Sequence, residues 1–179
     1  MNKTKQITLV AMMSAMIFVA TAFISIQIPS PTGPTMLKTG NILCILAGLL
    51  LGKTYGGLAS GIGSMFYDLT NPLYISSAPT TFINFFLMSF IAGLIFEKSN
   101  KNKLWLTLSC VIGAFSYVLL YFSKSVLGTV LVGSAFVPAV VANLTKLATS
   151  SFNATVASIF AIILYPIFLK ILTKSNIIK

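Results

Sequence analysis

The chain has 179 residues, 56% of them apolar and only 8% charged, and its mean hydropathy is +0.96. A soluble domain carries roughly 25% charged residues, and so short a chain cannot hide this much apolar surface inside itself, so the bilayer is its solvent. The net charge is +10 and every cation is a lysine. The lysines sit mostly at the ends of apolar runs, as topology charges do, and not in the Lys/Arg clusters of a nucleic-acid-binding face.

A spanning helix needs about 20 apolar residues. In chain order, Ile7–Ile26 meets that length, and Leu37–Gly52 and Tyr55–Leu69 are shorter and rich in glycine. Pro79–Phe96, Leu104–Phe122 and Leu147–Leu172 bring the predicted helices to six. The stretch Lys124–Lys146 reads either as a long loop with a half-buried helix or as extensions of its neighbours. The first segment mimics a signal peptide, with "NKTK" before it and Ala20-Thr21-Ala22 at its end. Its apolar run is too long for a signal core, and it is expected to stay as a helix. No linker or soluble domain interrupts the chain, so residues 1–179 are expected to form a single transmembrane domain.

Lysine counts predict orientation. Lys3, Lys5, Lys53, Lys98, Lys101, Lys103, Lys170, Lys174 and Lys179 fall at one set of alternate ends, and Lys38, Lys124 and Lys146 at the other. The positive-inside bias therefore predicts that both termini are cytoplasmic.

The chain has no histidine, which removes Ser-His-Asp, Cys-His and His-metal chemistry. Cys44 and Cys110 each lie in an apolar run with no metal or disulfide spacing, and read as small buried residues. No metal, cofactor or enzymatic activity is expected. The "GKT" at 52–54 is not a phosphate-binding loop, because the G-x-x-x-x-G-K-[ST] spacing and the preceding soluble strand are missing. Any ATP-driven work must come from a partner.

In helix one, "AMMSA" spaces Ala11 and Ala15 four apart, with Ala22 on the same face. Small residues four apart let another helix approach closely, either from this chain or from a partner. Gly48, Gly52, Gly56, Gly57, Gly61 and Gly63 permit a tight junction of helices two and three.

Polar residues collect in three separated places at one predicted depth. The first holds Gln27, Thr32, Thr35, Lys38 and Asn41, and the second runs from Asp68 through Tyr74, Ser77 and Thr81 to Asn84. The third holds Tyr117, Tyr121, Lys124, Asn143, Lys146 and Asn153. Polar groups in a bundle face its interior or a cavity, so the three groups together predict an outward-opening pocket. Taken singly, each residue also fits a loop or an interface anchor. Asp68, the only aspartate, would cost about 2.5–3.5 kcal/mol at the bilayer centre. Its place at a helix end reads as a cap or anchor for the following loop or as an ion pair with an outer lysine, and functionally as a direct ligand contact.

The ordered set "AMMSA", "IQIPSPTG", "GNILCILAGLLLGKTYGGLASGIGSMFYDL", "YISSAPTTFINFFLMSFIAGLIFEK", "GAFSYVLLYFSKSVLG" and "NLTKLATSSFNATVASIFAIILYPIFLKIL" resembles the substrate-binding S components of energy-coupling factor (ECF) transporters. The resemblance runs from about Gln6 to Leu172. It implies an all-α integral membrane fold, a six-transmembrane-helix bundle with both termini cytoplasmic. It also implies capture of a vitamin or vitamin-like small molecule from outside. A membrane T component and two ATPases would couple ATP hydrolysis to uptake, by toppling of the loaded subunit in the membrane. Within the resemblance, Ala11, Ala15 and Ala22 match the strip that docks on the T component. Many similar chains carry a lysine where this one has Asn84. Thiamine-binding relatives use several pocket tryptophans, and the only tryptophan here is Trp105, far from the expected pocket.

The substrate-binding residues expected from this reading are Lys38, Asn41, Tyr74, Asn84, Tyr117, Tyr121, Asn143, Lys146 and Asn153. The tyrosines would stack on a ring and the others make polar contacts. Lys124 and Lys146 hint at an anionic or carbonyl-rich ligand. The alternative is a stand-alone small-molecule transporter or channel, which the lack of a clear inverted repeat and of intramembrane carboxylate chains disfavours.

Overall fold

A computed structural model of the chain describes residues 3–99 and 102–175. Lys101 and Lys179, two of the orientation charges, lie outside the described residues. In chain order the elements are α1 (Lys3–Phe23), β1 (Ser25–Ile28), β2 (Thr35–Lys38), α2 (Gly40–Thr70), α3 (Ala78–Glu97), α4 (Lys103–Leu131), α5 (Phe136–Ala142) and α6 (Leu144–Lys174), with a 3-10 turn at Ile75–Ser77 before α3. Five helical segments are long and apolar enough to cross a membrane.

The all-α expectation needs one correction. The ends of the predicted helices one and two, residues 25–26 and 37–38, and the loop residues 27–28 and 35–36 pair as an antiparallel hairpin with Ser25 opposite Lys38 and Ile28 opposite Thr35. The reason is local. Pro29, Pro31 and Pro34 cannot donate helical hydrogen bonds, and Gly33 takes φ +100°, a turn conformation that L side chains avoid. The chain therefore leaves the helix, and its exposed N–H and C=O groups pair with one another.

α2 is two helical arms joined at a kink, not a straight rod. Gly52 has φ +82° and ψ +172°, and there the chain reverses. The Ser60 hydroxyl donates to the Cys44 carbonyl at 3.1 Å. Those residues would stand about 24 Å apart in a straight helix at 1.5 Å per residue. The two arms, 40–51 and 53–70, thus run side by side. A Cβ on Gly56 would collide with the backbone of Ala47 and Gly48, so close approach is bought by the missing side chain. The "GKT" motif is the reversal itself. Its Lys53 N–H donates to Glu97 Oε1 at 2.9 Å, and Lys53 Nζ lies 3.2 Å from Glu97 Oε2.

The first arm is the centre of the bundle. Cys44, Ile45, Leu46 and Ala47 are completely buried, and α2 touches α1, α3, α4 and α6. α1 packs Met13, Ser14 and Ile17 inward, and the Ser14 hydroxyl reaches the Ala59 carbonyl at 3.1 Å. Cys44 and Cys110 are both buried and free. The ambiguous 124–146 stretch divides: α4 runs on to Leu131, past the predicted end at Phe122, α5 is a short helix, and α6 begins at Leu144.

Gly52→Ala should lower stability by about 1–3 kcal/mol, since the side chain is forced into a backbone region open essentially to glycine. Thermal unfolding in detergent measures this, and an unchanged midpoint would mean the reversal does not depend on Gly52.

Candidate functional site

The three polar groups separated in sequence meet at one cavity of about 500 Å³ at the end of the bundle opposite Gly52. The 32–36 turn and strand, Asp68 at the end of α2, Tyr74, the start of α3, the far half of α4 and the start of α6 all contribute walls. Among the predicted binding residues, Lys38, Tyr74, Asn84, Tyr117, Tyr121 and Lys146 line it.

The hairpin covers this cavity because α6 holds it there. The Asn153 side chain donates to the Met36 carbonyl at 2.8 Å and accepts from the Lys38 N–H at 3.2 Å. Its amide carries a donor and an acceptor side by side, which match one edge of the strand. Lys146 Nζ donates to the Thr32 carbonyl at 2.8 Å, and the Thr32 hydroxyl donates to Asn143 Oδ1 at 2.7 Å. Asn143 Nδ2 in turn donates to Thr129 Oγ1 at 2.9 Å and to the Ala139 carbonyl at 2.8 Å. The amides of Asn143 and Asn153, expected to meet ligand, are thus turned to the hairpin and to α4 and α5. Asn41 also stands off the cavity wall. It is buried in the first turn of α2, and its amide has no hydrogen-bond partner among the described residues.

Asp68, the expected loop anchor, accepts the Asn71 N–H through its backbone carbonyl at 3.2 Å. Within the loop, Asn71 Oδ1 accepts the Leu73 N–H at 3.1 Å and Asn71 Nδ2 donates to the Tyr67 hydroxyl at 3.1 Å. The Asp68 carboxylate lines the cavity together with Thr81, within electrostatic reach of Lys38 and Lys124. A carboxylate drawn to two ammonium groups across a cavity gains more there than in a loop.

One wall is aromatic. Tyr117 and Tyr121 stack at 5.6 Å between centroids with planes 15° apart, and Phe85 lies 4.8 Å from Tyr117. Lys38 Nζ sits 4.3 Å from the Phe85 centroid, a cation–π distance. Burial pushes the Lys38 ammonium below its ordinary pKa, and the Asp68 carboxylate partly opposes that shift. Burial raises the Tyr74 phenol to about 12, so it stays a hydrogen-bond donor at neutral pH. Its buried hydroxyl has no partner among the described residues, although it borders the cavity.

The family model for "ECF-type riboflavin transporter, S component" matches residues 1–174. The chain belongs to that family. A solved structure of the S component of a bacterial ECF transporter is similar in fold, with a TM-score of 0.73 over 96% of this chain and 99% of that one, at 18% sequence identity. No curated protein matches the chain. An S component is a substrate-binding membrane subunit of a transporter, not an enzyme. In this S component Asp68 and Glu97 lie at opposite ends of the bundle, and no cluster of metal-ligating side chains occurs among the described residues.

Ser77 and Thr81, read from the sequence only as part of a polar group, and Phe85, hidden in an apolar run, also line the cavity. Residues 81, 84 and 85 share one face of α3, and Ser77 immediately precedes it.

Asn153→Leu should remove both bonds to β2. It should cost about 1–3 kcal/mol of stability by leaving strand groups unpaired. Hydrogen exchange of residues 25–38 should accelerate, and unchanged protection there would show that Asn153 does not hold the hairpin.

Proposed function

We propose that this protein is the substrate-capture subunit of an ECF transporter, taking a vitamin-like compound with a flat ring from outside the cell. The observation that carries the reading is the cavity, which combines stacked tyrosines with convergent polar groups beneath a strapped hairpin. Its volume lies in the range of about 300–1,000 Å³ typical of small-molecule sites. Riboflavin, named by the family, is the first compound to test. Tyr117 and Tyr121 would flank the ring, and Asn84, Tyr74 and Lys38 would hydrogen-bond its heteroatoms. Asn143 and Asn153 would serve by holding the hairpin over the bound molecule.

Counting the two arms of α2 separately gives six crossings, an even number that returns both termini to one side. The lysine bias supports the cytoplasm as that side. The cavity would then open outward.

The partners would be a T component and two ATPase subunits. Ala11, Ala15 and Ala22 are exposed on α1, and beside Ala11 and Ala15 runs an apolar groove of about 550 Å³ lined by Ile7, Val10, Phe18, Ile62 and Phe66. A helix of the T component would seat on that flat strip. ATP-driven changes in the partner would then bias the orientation of the loaded subunit.

Mass spectrometry of compounds released from gently purified protein tests the capture reading directly. If no vitamin-like compound is released or bound, or if the protein alone drives uptake into lipid vesicles without ATP, the reading fails. Tyr117→Ala should weaken ligand binding about tenfold or more, as expected for loss of an aromatic contact worth roughly 1–3 kcal/mol. Ala15→Trp should abolish co-purification with the coupling module while ligand still binds, because the indole blocks close helix approach. Normal co-purification would remove the docking strip from α1.

A further inference from the structure

The charges around the cavity do not balance. Lys38, Lys124 and Lys146 all line it, against the single carboxylate of Asp68. The other acid in the sequence, Glu97, is paired with Lys53 at the opposite end of the bundle. The three lysines are not equivalent. Lys38 and Lys124 both feel the Asp68 carboxylate. The charged neighbour of Lys146 is Lys124, a like charge.

The bonds these lysines make do not cancel their charge. Lys124 Nζ donates to the hydroxyls of Ser77 and Thr80, and Lys146 Nζ donates to the Thr32 carbonyl. These acceptors are neutral, and an ammonium has more protons than such bonds use. A charge on the wall of a low-dielectric cavity is costly unless a counter-charge meets it. Among the described residues, the chain supplies none to Lys146.

We propose that the ligand supplies it: the molecule captured here is an anion, with a carboxylate or phosphate group seated between Lys124 and Lys146 while its ring rests on Tyr117 and Tyr121. This rests on the reading of the cavity as a vitamin site and names the charge class that the site selects. The lining hydroxyls of Ser125 and Ser134 come from the same end of α4 and the turn after it, and can donate to the remaining anion oxygens. Lys38, held over Phe85 and facing Asp68, stays with the ring end of the molecule.

The test titrates the purified full chain in detergent with matched pairs that differ in charge. Riboflavin against riboflavin phosphate probes a phosphate; nicotinamide against nicotinic acid probes a carboxylate. The expected result is that the anionic member of at least one pair binds about tenfold or more tightly than its neutral partner, the order of one charged hydrogen bond. Lys146→Gln and, separately, Lys124→Gln should bring that ratio down by about tenfold, toward unity. Lys146→Arg keeps the charge and should preserve it, which separates loss of charge from loss of the bond to Thr32. Lys170→Gln, on the exposed far end of α6, should leave the ratio unchanged. Neutral members binding as tightly as anionic ones in every pair would overturn the proposal and leave the capture function standing. So would a ratio that survives both glutamine variants. Failure of every compound to bind would overturn the vitamin-site reading, and this proposal with it.

Discussion

The side-chain amide of Asn153 is the contact on which the site depends. It reads the edge of β2 as another strand would, giving to the Met36 carbonyl and taking from the Lys38 N–H. Backbone N–H and C=O groups shut away from water must find partners. The hairpin meets this demand by pairing with itself and by leaning on α6. Lys146 and Asn143 extend the same seam to the turn, through the Thr32 carbonyl and hydroxyl. Without the seam, the first loop would have no fixed place and the cavity no roof.

A second constraint acts at the other end. Helices in lipid gain little from apolar burial, because lipid tails are as apolar as leucine, so they associate through close packing and interhelical hydrogen bonds. The central arm of α2 shows both. Gly56 lets its two arms come together, Gly48 lets α3 approach at Ser89, and the hydroxyls of Ser14 and Ser60 bridge to carbonyls of neighbouring helices or arms. Gly52 allows the reversal, and the Glu97 carboxylate caps the freed Lys53 N–H while pairing with its ammonium. One of the chain's two acids is thus spent on architecture and the other, Asp68, on the cavity.

These two ends divide the molecule by chemistry. The Gly52 end holds a closed ion pair, with its charge balanced inside the protein. The hairpin end holds a surplus of ammonium groups beside stacked aromatic rings. That contrast makes the hairpin end a place to receive something. The exposed alanines of α1 lie on the outer surface of the bundle, away from the cavity walls, so docking and capture can be served by separate surfaces.

Much of this was legible in the sequence. Hydropathy runs located the long helices, the glycine-rich "GKTYGG" marked the reversal, and three polar groups at one depth foretold a shared cavity containing Tyr117, Tyr121, Asn84 and Lys146. Membrane hydropathy, turn glycines and interior polar residues are local constraints, written residue by residue. What only the tertiary structure decided is which way each polar group points. The amides of Asn143 and Asn153 turn to the hairpin, α4 and α5, the Asp68 carboxylate turns to the cavity, and Phe85, hidden in an apolar run, joins its wall. A side-chain amide or carboxylate serves a backbone edge or an open cavity equally well by composition. The choice depends on what lies opposite in space, and residues as far apart in sequence as Met36 and Asn153 settle it only when the chain folds.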